Sequence, residues 1–168
     1  VTRYHQEQGR KILIVVPTTS LVEQMYKDFV DYGWDVENIA HRIYAGKDML
    51  SDCPVIISTW QSIYKQDRKW FRKFSVVIGD EAHQFKSKSL VSIMTKLDDA
   101  KYRYGFTGTL DGTQTHKWVL EGLFGPSYKI INTKDLQDAG YLARLSIKIL
   151  LLKHNPKEFD IYEDEVQY

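Results

Sequence analysis

The sequence holds a single cysteine, Cys53, and only four prolines among its 168 residues. One cysteine excludes an intramolecular disulfide and is typical of a protein from a reducing compartment. So few prolines exclude a proline-rich linker. No apolar run approaches the roughly 20 residues that a membrane-spanning helix needs, and the longest, at 147–152, is far too short. No signal peptide is recognisable. We therefore expect a cytoplasmic protein that does not contact a membrane.

The chain also lacks an excess of charge of either sign, since 23 Lys and Arg against 22 Asp and Glu give a formal net charge of +1. A bulk field that attracts nucleic acid is therefore excluded, and any such binding surface must be a local patch. Hydrophobic residues make up 43% of the chain and aromatic residues 13%, which excludes a disordered protein. The length suits one domain with a real core.

What is present is organised around residues 75–83, Ser-Val-Val-Ile-Gly-Asp-Glu-Ala-His. The unbroken Val and Ile run is typical of a central parallel strand that is covered on both faces. Asp80, Glu81 and His83 follow at once, at the strand end where an open α/β sheet keeps its ligands. One carboxylate suits a hydrated Mg²⁺ bound to a nucleotide phosphate, and a second could deprotonate an attacking water. For the Asp-Glu pair alone, a solvated acidic turn is the alternative.

Further apolar segments of strand length alternate with helical patterns, at 11–16, 39–44, 54–58 and 102–106. This alternation predicts an α/β fold with a doubly wound, mostly parallel sheet. Two more strands are predicted, at 128–131 and 145–152, on either side of a short helix at 133–138.

The strand at 11–16 stops at Pro17, and Thr18, Thr19 and Ser20 then open a predicted helix. Hydroxyl groups, free backbone N–H groups and the helix dipole all favour a bound anion there. The same hydroxyls could equally be simple helix caps, and Ser20 and Glu23 have the spacing of a capping box. The residues predicted to form the buried stripe of this helix are Leu21, Met25, Phe29 and Tyr32.

The tetrapeptide Asp80-Glu81-Ala82-His83 resembles motif II, or Walker B, of the superfamily 2 helicases of the DEAH/DExH group. Segments 16–21, 58–62 and 70–71 resemble those of phage recombination and repair helicases of the UvsW type. The resemblance covers nearly the whole chain but only one lobe of such a motor. It implies a RecA-like (P-loop NTPase) domain at 1–145, incomplete at both ends, and a linker or the start of the second lobe at 146–168.

This resemblance implies ATP and Mg²⁺ as cofactors, with Asp80 holding Mg²⁺ through water and Glu81 activating the hydrolytic water. His83 would relay the nucleotide state to DNA through motif III. The motif III residues are Thr107, Gly108 and Thr109, and hydroxyls at this sheet edge could hydrogen-bond His83 or Asp80. The positions implied to contact the nucleic-acid backbone are Pro17, Thr18, Thr19, Ser20, Gly46, Thr59 and Gln61.

The sequence has no Gly-x-x-x-x-Gly-Lys-Ser/Thr phosphate loop. The Gly46-Lys47 pair does not qualify, because His41 and Asp48 occupy the positions where Gly and Ser or Thr are required. We therefore expect the phosphate loop upstream of Val1, and a second RecA-like lobe with its arginine finger beyond Tyr168. The polypeptide alone should lack ATPase activity, since an arginine finger contributes about 10³ to 10⁵ in rate.

Three functions remain open. The first is an ATP-dependent DNA helicase or translocase that acts on branched or duplex DNA in recombination and repair, in the host cytoplasm if it is phage-encoded. The second is the motor subunit of a restriction enzyme or another DExH ATPase. The third is a non-catalytic nucleic-acid-binding module, against which the intact Asp80 and Glu81 argue. DNA is the favoured partner over RNA, although backbone contacts do not read base identity.

Overall fold

The computed structural model describes residues 1–46, 48–108, 114–143 and 148–151, without the side chains at 114 and 115. Its internal contacts divide the chain into two units, Val1–Ser127 and Tyr128–Tyr168. The domain boundary predicted at residue 145 falls between described segments and stays a prediction.

The described part of the first unit holds five strands, which are β1 (Ile12–Val16), β2 (Ala40–Ile43), β3 (Val55–Thr59), β4 (Val76–Gly79) and β5 (Tyr102–Gly105). They form one sheet in the order β2-β3-β1-β4-β5. Every neighbouring pair in it is parallel. The predicted α/β class is confirmed, and each of these strands coincides with one of the apolar segments singled out in the sequence.

Helices precede, connect and follow these strands. In chain order they are α1 (Thr2–Glu7), α2 (Thr19–Asp31), α3 (Val36–Ile39), α4 (Trp60–Ile63), α5 (Arg68–Phe71), a 3₁₀ helix (Ala82–Lys86), α6 (Lys88–Lys96), α7 (Gln114–Phe124) and, in the second unit, α8 (Thr133–Asp138). Among the described residues, no helix has both the length and the apolar character needed to cross a membrane.

The core lies on both faces of the sheet, as the apolar strand pattern predicts. All of β1 is buried, and its residues alternate between two hydrophobic clusters because successive side chains of a strand point to opposite faces. Leu13 and Val15 pack into the cluster that contains Phe71 and Phe85. Ile12, Ile14 and Val16 pack into the cluster on the side of α2. The sheet is therefore a rigid platform for whatever lies at its edges.

Helix α2 begins differently from the prediction. Its N-cap is Thr18, whose Oγ1 accepts a hydrogen bond from the N–H of Leu21 at 3.3 Å. The predicted capping box of Ser20 and Glu23 is therefore wrong, and Glu23 instead binds Arg42 on β2 and the adjacent Tyr44.

The prediction of the buried stripe of α2 is also partly wrong. Tyr32 is 74% exposed because it caps the helix at its C-terminal end and has turned away from the sheet. Val22, which the prediction omitted, is the fully buried residue of this helix. Leu21, Met25 and Phe29 pack against the core as predicted.

The second unit confirms the predicted helix but not the strand before it. Helix α8 begins with a capping box between Asn132 and Asp135. The strand predicted at 128–131 is wrong, because no described strand pairs with this segment and Ile130 is 88% exposed. Residues 148–151, the described part of the last predicted strand, are not in a strand either.

A buried histidine on α1, His5, makes the stability of the first unit depend on pH. His5 Nε2 lies 2.9 Å from the Tyr104 hydroxyl, and its Nδ1 lies 2.8 Å from Arg10 Nη1. Arginine can only donate, so Nδ1 accepts and the ring is neutral. Burial, together with the neighbouring Arg10 charge, lowers the pKa of His5 below its ordinary value of 6.5.

We expect the free energy of unfolding to be steady above pH 6.5, the ordinary histidine pKa, and to fall as the pH is lowered below it. The unfolded chain then takes up a proton that the folded chain rejects. Urea unfolding at several pH values measures this, and His5→Gln, which keeps an acceptor for Arg10, should flatten the curve. Identical pH profiles for the two proteins would show that His5 is not responsible.

Candidate functional site

The parallel sheet brings the candidate residues to one edge. Because all strands run the same way, their carboxyl ends meet there, and the register pairs Val16 with Thr59 and Gly79 with Gly105. The N–H of Asp80 donates to the carbonyl of Val15 at 3.0 Å. The acidic segment after β4 therefore lies beside the hydroxyl-rich ends of its neighbours, as the sequence predicts.

The backbone after β4 makes a strained turn that is held on both sides. Glu81 has φ +49°, in the left-handed region that a side chain rarely adopts. The N–H of Ala82 donates to the carbonyl of Phe106 at 2.8 Å, and the N–H of Phe106 donates to the carbonyl of Gly79 at 2.9 Å. Such strain persists where the surroundings over-determine it, which is common at functional sites. The turn fixes the direction of the Glu81 side chain.

His83 connects the acidic segment to the end of β5. Its Nδ1 lies 2.9 Å from Thr107 Oγ1 and 3.2 Å from Glu81 Oε2. The contact between the histidine and a hydroxyl of motif III is therefore present as predicted. Gly108 follows, and no described atom would lie within 4 Å of a Cβ placed on it, while Thr109 lies outside the described residues.

The carboxylates suit a metal ion that takes its other ligands from water and phosphate better than one held by protein ligands alone. Asp80 is half-buried and lines a narrow cleft together with Pro17, Trp60 and Gln84. Within the described ranges, no group of three or more His, Cys, Asp and Glu side chains could hold a metal. Mg²⁺ fits this donor set, because it can be held by one or two carboxylates together with water and phosphate oxygens.

Two paired glycines make room for an aromatic contact beneath the site. A Cβ on Gly79 would lie 2.7 Å from the ring of Phe85 and 3.0 Å from that of Phe124, and one on Gly105 would lie 3.1 Å from Phe124. The two phenylalanines meet edge to face, with ring centroids 5.1 Å apart. This contact attaches α7 to the ends of β4 and β5. Sequence reasoning missed it, although a glycine at the end of each strand was a visible signal.

An open groove of about 740 Å³ lies at the same sheet edge, over β1, β2 and β3. Of the positions predicted to contact nucleic acid, it is lined by Pro17, Thr18, Thr19, Gly46, Thr59 and Gln61 but not by Ser20. The structure thus gathers into one surface residues that come from three separate turns of the sequence.

The floor of the groove is hydrogen-bonded. Thr59 is only 4% exposed, and its hydroxyl meets that of Ser62 at 2.9 Å. Gln61 Nε2 donates to the carbonyl of Pro17 at 3.3 Å, which ties the start of α4 to the end of β1. Gly46 has φ +85°, so its turn favours glycine.

Sequence reasoning missed five residues that line the groove, namely Ile43, Tyr44, Ala45, Met49 and Ser62. Ser62 stands three positions after Thr59, a spacing that places two side chains on one helix face and could have indicated it. Nothing local in the sequence marks Tyr44 and Met49.

Comparison with known proteins assigns the chain to a family. The family described as "Type III restriction enzyme, res subunit" matches residues 1–112. The chain belongs to this family. The chain is also similar to the ATP-dependent DNA helicase uvsW of Enterobacteria phage T4, which is 34% identical over 99% of this chain and 35% of that protein.

A second relative in sequence is the DNA 3'-5' translocase XPB2 of Sulfurisphaera tokodaii, which is 32% identical over 90% of this chain and 33% of that protein. The crystal structure of the UvsW helicase from bacteriophage T4 superimposes with a TM-score of 0.65 and 37% identity, over 74% of this chain and 46% of that one. The fold is therefore that of a RecA-like domain of a superfamily 2 helicase. The chain spans about a third of the length of both curated relatives.

Proposed function

We propose that this chain is the first lobe of an ATP-dependent DNA helicase or translocase, which remodels branched or duplex DNA in recombination and repair. The observation that carries the proposal is the connected set of Glu81, His83 and Thr107 at the sheet edge that also bears the groove. A nucleotide-hydrolysing site and a nucleic-acid surface on one rigid edge are what a motor needs. The similarity to a DNA helicase and a DNA translocase supports DNA over RNA.

The carboxylates divide the chemistry between them. Asp80 would hold Mg²⁺ through water, and the ion would supply positive charge against the phosphates of ATP. Glu81 orients the attacking water and accepts its proton. The strained turn at Glu81 sets the direction in which its side chain leaves the backbone, so less conformational entropy is lost when the carboxylate is positioned for the reaction.

The imidazole of His83 couples hydrolysis to DNA contact. Its Nδ1 faces both the proton-accepting carboxylate and the hydroxyl of Thr107, so a shift of Glu81 toward water changes the hydrogen bonding of Thr107. Coupling of this kind needs two alternative arrangements of a shared contact. The Nδ1 atom of His83, which faces two partners, provides them.

The groove takes the sugar-phosphate backbone. Hydroxyl groups of Thr18, Thr19 and Ser62, with the N-terminus of α2, present donors to phosphate oxygens. Such contacts position the DNA without reading its sequence. The remaining partner is a second RecA-like lobe. Because ATP and DNA are both found inside the cell, the protein would act there.

The test is ATP hydrolysis by the full-length protein that carries this chain, measured with and without DNA. We expect hydrolysis that DNA stimulates, whereas the 168-residue chain alone should show none, because it has no phosphate loop sequence. Hydrolysis by the chain alone at a rate near that of the full-length protein would contradict the assignment of roles. Absence of DNA stimulation in the full-length protein would contradict the motor.

A second candidate is the motor of a type III restriction enzyme, which the description of the matching family favours. The two candidates differ in one product. A restriction motor works with a nuclease, so supercoiled plasmid DNA would be cut when ATP and Mg²⁺ are present. The proposed helicase or translocase should leave the same plasmid intact.

A further inference from the structure

We propose that Glu23 is a positioning residue that joins two walls of the groove and thereby sets its affinity for DNA. The inference rests on the proposed function, because it concerns the same groove. Glu23 does not line the groove itself.

The Glu23 carboxylate uses its two oxygens on two different residues. Oε2 lies 2.5 Å from Nη1 of Arg42 on β2, and Oε1 accepts a hydrogen bond from the hydroxyl of Tyr44. Arg42 is held in turn by the ring of Tyr26 on α2, with its Cζ 3.8 Å from the ring centroid. Helix α2 is thus attached to the end of β2 by a charge-assisted, two-pronged contact.

The positions of the two ends explain why this contact acts on the groove. Glu23 follows Thr18 and Thr19 by little more than one helical turn, so it moves with the wall of the groove that those residues form. Tyr44 directly precedes Ala45 and Gly46, which form the facing wall and have φ values of +24° and +85°. Few other backbone conformations continue such a turn, so a contact that holds Tyr44 in place also holds the wall formed by Ala45 and Gly46.

The charges fit the same role. Glu23 is a carboxylate beside a surface that would bind phosphates, and unpaired it would repel them. Arg42 neutralises it, and the side chains of Arg42 and Glu23 are only 27% and 44% exposed. A partly exposed ion pair of this kind adds little to stability, so its effect should be seen mainly in binding.

The experiment measures DNA-stimulated ATP hydrolysis of the full-length protein as a function of DNA concentration. Glu23→Ala removes the contacts with both Arg42 and Tyr44 and should raise the KM for DNA about tenfold, within the range of a lost charge-assisted hydrogen bond. The KM for ATP and the rate without DNA should stay at the wild-type level. Glu23→Gln keeps an oxygen that can accept from Tyr44, so it should recover part of the affinity.

Two comparisons separate positioning from a general loss of structure. Glu7→Ala removes a carboxylate from an exposed ion pair with Arg3 on α1 and should leave the KM for DNA unchanged. Tyr44→Phe removes only the hydroxyl. Its effect should not add to that of Glu23→Ala, because both substitutions break the same contact between Tyr44 and Glu23.

The inference is overturned if Glu23→Ala leaves the KM for DNA at the wild-type value, or if its effect and that of Tyr44→Phe are fully additive. It is also overturned if Glu7→Ala raises the KM for DNA as much as Glu23→Ala does. These results would leave the proposed function standing. A wild-type protein that DNA does not stimulate would instead remove the proposed function itself.

Discussion

Replacing Glu81 by Gln in the full-length protein should lower the rate of ATP hydrolysis by about 10² to 10⁴, the contribution of a positioned general base. Glutamine has the same shape, so it can occupy the strained turn and still meet His83, which lies 3.2 Å from the native carboxylate. It cannot take a proton from water. DNA binding should change little, because Glu81 does not line the groove.

Steady-state hydrolysis and fluorescence anisotropy with a labelled oligonucleotide measure the two effects separately. Glu121→Gln is the matched control, since Glu121 lies on α7 in a surface contact with Lys117 at 3.8 Å. It should leave both quantities unchanged. A Glu81→Gln protein that keeps more than a tenth of the wild-type rate would show that another group activates the water.

The second large effect concerns stability. Gly79→Ala should lower the free energy of unfolding by about 1–3 kcal/mol, the usual cost of forcing an extra group into a packed core. The new Cβ would lie 2.7 Å from Phe85 and 3.0 Å from Phe124, whose rings also pack against each other, so that both would have to shift. Because the strain falls at the base of the acidic turn, hydrolysis should also decline.

Gly122→Ala is a control of the same chemistry. Gly122 lies inside α7 with open space where its Cβ would be, so alanine should raise stability by about 0.5–1 kcal/mol through helix propensity alone. Urea unfolding of the two variants measures both changes. Equal stabilities for the Gly79→Ala and Gly122→Ala proteins would mean that the aromatic contact is not close-packed.

Much of the fold could be predicted because its strands are buried on both faces. A strand such as β1, with every residue in a core, must be a continuous apolar run, and that pattern is visible without any partner. The edge that bears the site follows from strand direction alone, because the carboxyl ends of parallel strands meet at one edge of the sheet. It was therefore enough to see that each of four residues ends a strand or follows it closely, namely Thr18, Thr59, Asp80 and Thr107.

What could not be predicted depends on partners that are distant in sequence. Glu23 has the spacing of a helix cap, but its carboxylate binds Arg42 on β2 and Tyr44 just after that strand. The spacing rule also extended the buried stripe of α2 to Tyr32, where the helix has already ended. At 128–131 the residues favour a strand, yet a strand needs a neighbour, and the described residues supply none.

The central claim is that the sheet edge that bears the acidic segment also takes the DNA backbone. Photo-crosslinking tests it most directly, with an oligonucleotide that carries reactive groups on its phosphates, bound to the full-length protein and mapped by mass spectrometry. We expect crosslinks at Thr18, Thr19, Gly46 and Gln61, which line the groove. Crosslinks confined to Lys11, Pro54 and Ser75, which hydrogen-bond one another or β1 at the opposite edge of the sheet, would contradict the account.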